Sequence, residues 1–373
     1  MSGSNQQIGG GGNAGPVFVV DGRGNKAPGG PYLPNWPITM TSLSLFPVVA
    51  EGITSSQAAA DFDGDGRPDI LVQGNGAPPL VLKADPGAQP GLAEPPERLP
   101  IVQNEDGQRR GFEPTSNFGE ISKATKPDVM FPLFSLPSIG DFDQDGIPDV
   151  AMAGGSLTLA GALAGGGRRA ERAQQLVALW SGKTGAMFPG SPIVIEDYTF
   201  LANPTIADVS GDDYPEVIVG SGGYFVHAAD ACGREAPGFP KFTNGWVTAA
   251  VAIGDVDGDA ERSLEVVVGT REGYLFAWHT KGKDSGVVQW ESMHHDNANT
   301  GNYATKLDQG VLKRAATPID CSVPVVTEPD QLLAGGCGCA SPGRKAPVAP
   351  LAGLGIGLAA LAVARLRSRR RAV

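Results

Sequence analysis

Carboxylates at alternate positions mark four places in this chain. Residues 61–69 read Asp61-Phe62-Asp63-Gly64-Asp65-Gly66-Arg67-Pro68-Asp69, and residues 141–149 repeat the pattern with Asp141, Asp143, Asp145 and Asp149. Residues 208–216 keep it with Asp208, Ser210, Asp212 and Glu216, and a fourth copy starts at Asp255, Asp257 and Asp259. Like charges this close are unfavourable in a packed protein unless a cation neutralises them. Hard oxygens at alternate positions, in a loop whose glycines let the backbone wrap, form the donor set of calcium. Position 7 supplies a backbone carbonyl, from Arg67, Ile147 or Tyr214. With water, each set reaches the roughly 6–8 oxygens that calcium takes. The spacing therefore predicts three complete calcium loops. The fourth is incomplete, because position 9 is Ser263 and the next acid, Glu265, comes two residues late.

These are not EF-hands, which need a bidentate Glu at position 12 between two helices. Position 12 is Val72, Met152, Val219 and Val266, inside β-branched or apolar runs. Asp208-Val209-Ser210 begins like a DxSxS site, but Asp212 at position 5 returns it to the calcium pattern.

The elements that must hold these loops are short strands. A small apolar run precedes each loop, and a β-branched run follows at 70–72, 150–152, 217–219 and 265–268. Next comes an aliphatic or aromatic strand, near 80, 176, 224 and 274, with a further copy near 17 that lacks its acidic loop. The loops begin 80, 67 and 47 residues apart. The shortest interval fits one propeller blade of roughly 40–50 residues. The longer intervals fit the same unit with insertions at 86–127 and 153–175, with a short helix expected at 169–175. The expected fold is all-β: a β-propeller of about five visible blades, plus one C-terminal hydrophobic helix.

The organisation around that body follows from composition. Residues 1–16 form a Gly/Ser/Asn/Gln segment without a charged start and apolar core, so no signal peptide is read there. The propeller covers 17–303, residues 304–346 form a linker, and 347–373 a membrane-directed tail. In that tail 17 uncharged residues, Val348 to Ala364, precede Arg365, Arg367, Arg369, Arg370 and Arg371, in keeping with the positive-inside rule. Without a leader, and with the first strand copy lacking its acidic loop, the chain reads as one that starts inside a longer protein, or whose start is mis-assigned.

The chain has 373 residues, with 53 Gly and 31 Pro and 41% hydrophobic content, which favours turns and short strands over long helices. Net charge is −11, and seven of the 29 basic residues lie after Ser341, beyond every acidic one. The remaining body repels nucleic acid. Four cysteines do not make a disulfide-dense scaffold, and Cys337-Gly338-Cys339 without a second pair falls short of a zinc site.

Catalytic motifs are absent: no HExxH, P-loop or nucleophile elbow is found. His294-His295-Asp296 is the one histidine cluster. Adjacent histidines on a strand point to opposite faces and make a poor shared site.

The loops followed by "DILV", "DVAM" and "EVIVG", with "GYLFAWHTKG" after the last, resemble FG-GAP/VCBS repeats over 17–303. "WESMHHDNANTG" resembles the segment that ends bacterial versions of that propeller. The resemblance implies the integrin α-subunit propeller, usually seven-bladed, so that the five visible blades would be an incomplete set, with structural calcium at the blade loops and a role in binding, adhesion or structure at a cell surface. The C-terminal "GGCGCASPG", apolar run and Arg cluster resemble the MYXO-CTERM sorting tag, which implies export and processing at Cys337 or Cys339. The expected partner is a protein or glycan, together with the membrane through the tail. The alternatives are a propeller-type extracellular enzyme, hydrolase or quinone-dependent dehydrogenase, and the propeller fragment of a larger exported protein. Convergence of His294, His295 and nearby carboxylates in a pocket would favour the enzyme.

Overall fold

β-Branched and aliphatic runs, closed off by Gly, Asp and Pro, favour pairing of each strand with its sequence neighbour. The computed structural model describes residues 14–26, 56–73, 79–83, 135–156, 175–199, 203–314 and 316–322, with short pieces between 28 and 41 and between 102 and 131. Cys337, Cys339 and the tail lie outside the described residues.

The first strands, β1 (Ala14–Val17) and β2 (Ile38–Thr41), form a two-stranded antiparallel pair. Then come β3 (Ala58–Ala60), β4 (Asp69–Val72) and β5 (Leu80–Leu82), an antiparallel meander, and the small pair β6 (Val102–Gln103) and β7 (Arg109–Arg110). The second meander runs β9 (Ser138–Gly140), β10 (Asp149–Ser156), β11 (Gln175–Trp180) and β12 (Ile193–Ile195). In it β8 (Met130–Phe131) pairs with the far end of β10. The third meander is β13 (Thr205–Ala207), β14 (Glu216–Gly220), β15 (Phe225–Ala229) and β16 (Lys241–Phe242). The fourth is β17 (Ala252–Gly254), β18 (Ser263–Gly269) and β19 (Leu275–Lys283), followed by β20 (Val288–Trp290).

All four meanders are propeller-type blades, and in each the acidic loop joins the first strand to the second. Four blades thus carry loops among the described residues, and the expected loop-less copy near 17 is the β1–β2 pair. Strand β10 continues to Ser156, so the second insertion starts later than residue 153, and β11 already begins at Gln175 where the end of a helix was expected. Residues 157–174 and most of 86–127 lie outside the described residues.

The blades share two main cores. Ile139, Phe142, Val150, Trp180 and Trp290 belong to the first, Val209, Ile218, Val226, Val266 and Leu307 to the second. A smaller cluster packs Val17 and Trp36 on Val72 and Leu82.

Residues 287–314 tie the blades together. Strand β20 pairs antiparallel with β13, through Ile206↔Trp290 and Ala207↔Val288. The Gln289 Oε1 accepts the Asp141 N–H at 2.8 Å, at the end of β9. A Cβ on Gly140 would sit 2.7 Å from that oxygen and 2.9 Å from Ile206 Cγ2, so a side chain there would have to displace both. The Ile253 N–H of β17 donates to the Glu291 carbonyl at 2.9 Å, and Ala59 of β3 donates to Gly301 at 2.7 Å while accepting from Tyr303 at 2.9 Å. One segment thus touches the first strand of all four blades. The expected linker from 304 begins inside this packed body: Leu307 is buried, and Val311 bridges Val287. Cys321 is disulfide-bonded to Cys232, which the cysteine spacing alone did not reveal.

Candidate metal centres

The first three acidic loops fold alike because their backbones bend at the same places. Positions 4 and 6 take left-handed φ at Gly64 and Gly66, at Gln144 and Gly146, and at Gly211 and Asp213. Glycine does this freely, and Gln and Asp do so at a modest penalty. The carboxylates then cap the turn. Asp61 accepts the N–H groups of Gly64 and Gly66, both at 2.8 Å, and Asp141 that of Gly146 at 2.8 Å. Asp208 accepts Gly211 and Asp213 at 2.6 and 2.9 Å, and Asp255 accepts Gly258 at 2.8 Å. Asp65, Asp145 and Asp212 each accept the N–H of position 7, so that residue's amide is fixed beside the cluster.

The last acid of each loop opens the second strand and reaches back to position 2. Asp69, Asp149 and Glu216 accept the Phe62, Phe142 and Val209 N–H groups at 3.0, 2.7 and 2.8 Å. In the fourth loop Glu265 does the same for Val256 at 2.9 Å, and it pairs with Gly254 as Asp149 pairs with Gly140. The expectation that Ser263 holds position 9 is therefore corrected. Ala260 and Glu261 form an extra turn, closed by the Arg262 N–H on the Asp259 carbonyl, and the acid arrives in register two residues later.

Three of the resulting groups are Asp61, Asp63 and Asp69; Asp141, Asp143 and Asp149; and Asp208, Asp212 and Glu216, each with one oxygen per residue within 4.8 Å of the others. The fourth group is Asp257, Asp259, Glu265 and His279, again within 4.8 Å. Asp255 stands apart from it, with Arg262 Nε 3.4 Å from its Oδ2. Asp65 and Asp145 sit at the rim of their groups, where Lys83 and Lys183 approach at 3.6 and 3.1 Å. The Ser210 hydroxyl donates to Asp208 at 3.3 Å.

Buried carboxylates in such groups are hard to charge without a counter-ion. Asp149 is wholly buried, and Asp69, Asp141, Asp208, Glu216 and Glu265 are nearly so. Burial, and then the charges of Asp63 and Asp65, push Asp69 up to about 7 despite its bond from Phe62. Burial and the neighbouring Asp143 and Asp145 push Asp141 up to about 6. Asp149 and Glu216 are raised well above the usual range, with burial the main cause. The Asp141 Oδ1 is buried and accepts no hydrogen bond. An orphaned anionic oxygen in a cluster of oxygens is a fit for a hard divalent cation.

The histidine pair lies elsewhere and not on a strand. His294 and His295 both take left-handed φ, at 58° and 84°, in the turn after β20. His295 is buried edge-on against Trp290, with Nδ1 2.9 Å from Asp296, and burial lowers its pKa.

The chain is thus an all-β protein of propeller-type blades with a candidate cation cluster on each of four loops. Over 180 residues it is 27% identical to integrin alpha-7 from Homo sapiens, a stretch that is 46% of this chain and 12% of that protein. The chain therefore matches only a small part of that relative's length. Among solved structures, BBS1N in complex with ARL6DN, soaked with mercury, is similar at a TM-score of 0.33 and 12% identity, over 65% of this chain and 61% of that one. The V. cholerae biofilm matrix protein Bap1 is similar at a TM-score of 0.28 and 13% identity, over 67% of this chain and 41% of that one. No protein-family model matches the chain. No helix among the described residues is long and apolar enough to cross a membrane.

Proposed function

We propose that this chain is a calcium-stiffened β-propeller module of an exported protein that works in binding, adhesion or structure, with the cations fastening the blades. The observation that carries this reading is the recurrence of one acidic loop at one place in four blades, each with its last carboxylate buried and bonded to the N–H of position 2. In the first three loops the donors are all oxygen, with the Arg67, Ile147 and Tyr214 carbonyls completing the sets, as calcium requires. The Cys232–Cys321 disulfide and the stretch similar to an integrin α-subunit support an oxidising, extracellular location. The C-terminal tail, with Cys337 and Cys339, would then deliver the body to the cell surface. The acidic body favours a protein or glycan partner over nucleic acid.

Thermal unfolding of the full chain in EDTA, then with added calcium, tests the reading. Each filled site adds about 2.7 kcal/mol at calcium 100-fold above its Kd, so the melting temperature climbs by several degrees. An unchanged melting temperature would sink the cation claim.

A further inference from the structure

The fourth loop differs from the other three in its donors, and the differences agree with one another. Its position-1 acid, Asp255, lies outside the group of mutually close ligand atoms, with Arg262 Nε, which also donates to Asp284, 3.4 Å from its Oδ2. An imidazole from the third strand of the blade takes that place. The residue across from the last acid of each loop is set by strand register. Glu265 pairs directly with His279. One step beyond the pairs Ile70↔Leu82, Val150↔Trp180 and Val217↔Ala229, the corresponding residues are Lys83, Ser181 and Asp230. Among the described residues, the fourth blade alone presents an imidazole there.

His279 stands among all three carboxylates of the group. Its Nδ1 lies 2.8 Å from Glu265 Oε1 and 3.6 Å from Asp259 Oδ2, and its Nε2 lies 3.6 Å from Asp257 Oδ2. Glu265 is 3% exposed, and its Oε1, though close to Nδ1, is buried without a hydrogen bond of normal geometry. That oxygen is aimed into the cluster, with the His279 Nδ1 beside it. The loop is also held differently: Val256 at position 2 is 62% exposed, whereas Phe62, Phe142 and Val209 are buried plugs.

We infer that the fourth loop is a site for a zinc-type divalent transition metal and not a fourth calcium site. This rests on reading the acidic loops as cation sites. Calcium takes 6–8 oxygens and has little use for an imidazole, whereas one His with carboxylates is an ordinary donor set for zinc and its neighbours. One ring nitrogen binds the metal while the other stays against a carboxylate, the contact that orients a ligating imidazole.

The full chain, stripped with chelator, is dialysed to equilibrium against zinc or calcium, and bound metal is counted by elemental analysis. The His279 side chain is 61% exposed, so His279→Gln keeps the fold, and Asp257→Asn serves as a second variant. His279→Gln loses one zinc equivalent, or binds it at least the roughly 10–100-fold more weakly that loss of even a supporting group costs at a metal site. Its calcium count stays that of the wild type. Cobalt in place of zinc gives a visible absorption band that vanishes in His279→Gln. Zinc uptake unchanged in both variants, or loss of one calcium equivalent in Asp257→Asn, overturns the assignment. Zinc bound through His279 with no calcium bound anywhere would instead refute the calcium reading of the other loops and leave this one standing.

Discussion

Asp69→Asn should change the sign of its effect on stability with calcium. Asp69 is 2% exposed, and its pKa rises from an ordinary 3.8 to about 7, first through burial and then through Asp63 and Asp65. At 1.36 kcal/mol per pK unit, holding it charged above neutral pH costs the metal-free fold up to about 4 kcal/mol. This is an upper bound, since water and salt screen the outer carboxylates. Asparagine keeps the shape and still accepts the Phe62 N–H. In EDTA at pH 8 the variant is therefore more stable than the wild type. Saturating calcium reverses the order, because the wild type gains the binding term and the variant has lost a charged ligand. The sign with pH follows from the raised pKa. The favourable protonated state is fully present below 3.8 and lost as pH rises through about 7, so metal-free wild type weakens across that window and the variant weakens less. Urea unfolding at pH 5 and 8, with EDTA or calcium, gives the four comparisons. A variant less stable than wild type in EDTA at pH 8, with an undiminished calcium increment, would refute the reasoning.

Three further outcomes are expected. Reducing Cys232–Cys321, or replacing both cysteines with serine, opens a loop of 89 residues and lowers stability by about 4–5 kcal/mol on the chain-entropy account, read as a drop in melting temperature. His227→Gln flattens the stability profile between pH 6.5 and 9: burial works against the charged ring, but Glu196 and Glu235 push its pKa from 6.5 up to about 9, so the stabilisation is full below 6.5 and lost as pH climbs through 9. Denaturant titrations across that range check it, and an unchanged slope in the variant counts against the pairing. Gln289→Ala leaves the buried Asp141 N–H unsatisfied and costs about 1–3 kcal/mol, measured by urea unfolding with calcium present.

Much of the site was legible because its signal is local. Alternate acids, left-handed positions and the following β-branched run all fall within a dozen residues, and the strands that flank each loop lie where hydrophobicity places them. Glu265 reads as two residues late and the fourth loop as incomplete because position counting assumes a fixed loop length, and the two-residue turn at Ala260 and Glu261 breaks that assumption without moving the acid in space. His279 and Lys83 escaped for another reason: they reach the loops across a strand pair, and only register brings them there. The Cys232–Cys321 bond joins distant segments, and the closely spaced Cys337 and Cys339 were the more conspicuous pair. Residues 304–322 read as a linker because their contacts are made by polar side chains, such as the Gln309 Oε1 that accepts the Asp255 N–H at 3.1 Å, and not by an apolar period.

The segment 287–314 also has a consequence in time. It is among the last parts of the body to be synthesised, yet it supplies contacts to the first strand of every blade. Until it arrives, β3, β13 and β17 wait with open edges, and the nascent chain can form meanders but not finish them. Folding dominated by such distant pairings is slow, and open edges invite pairing with other chains. Completion of this segment is thus the committing event of assembly. A chain halted before residue 287 would accumulate as aggregation-prone blades and not as a smaller propeller.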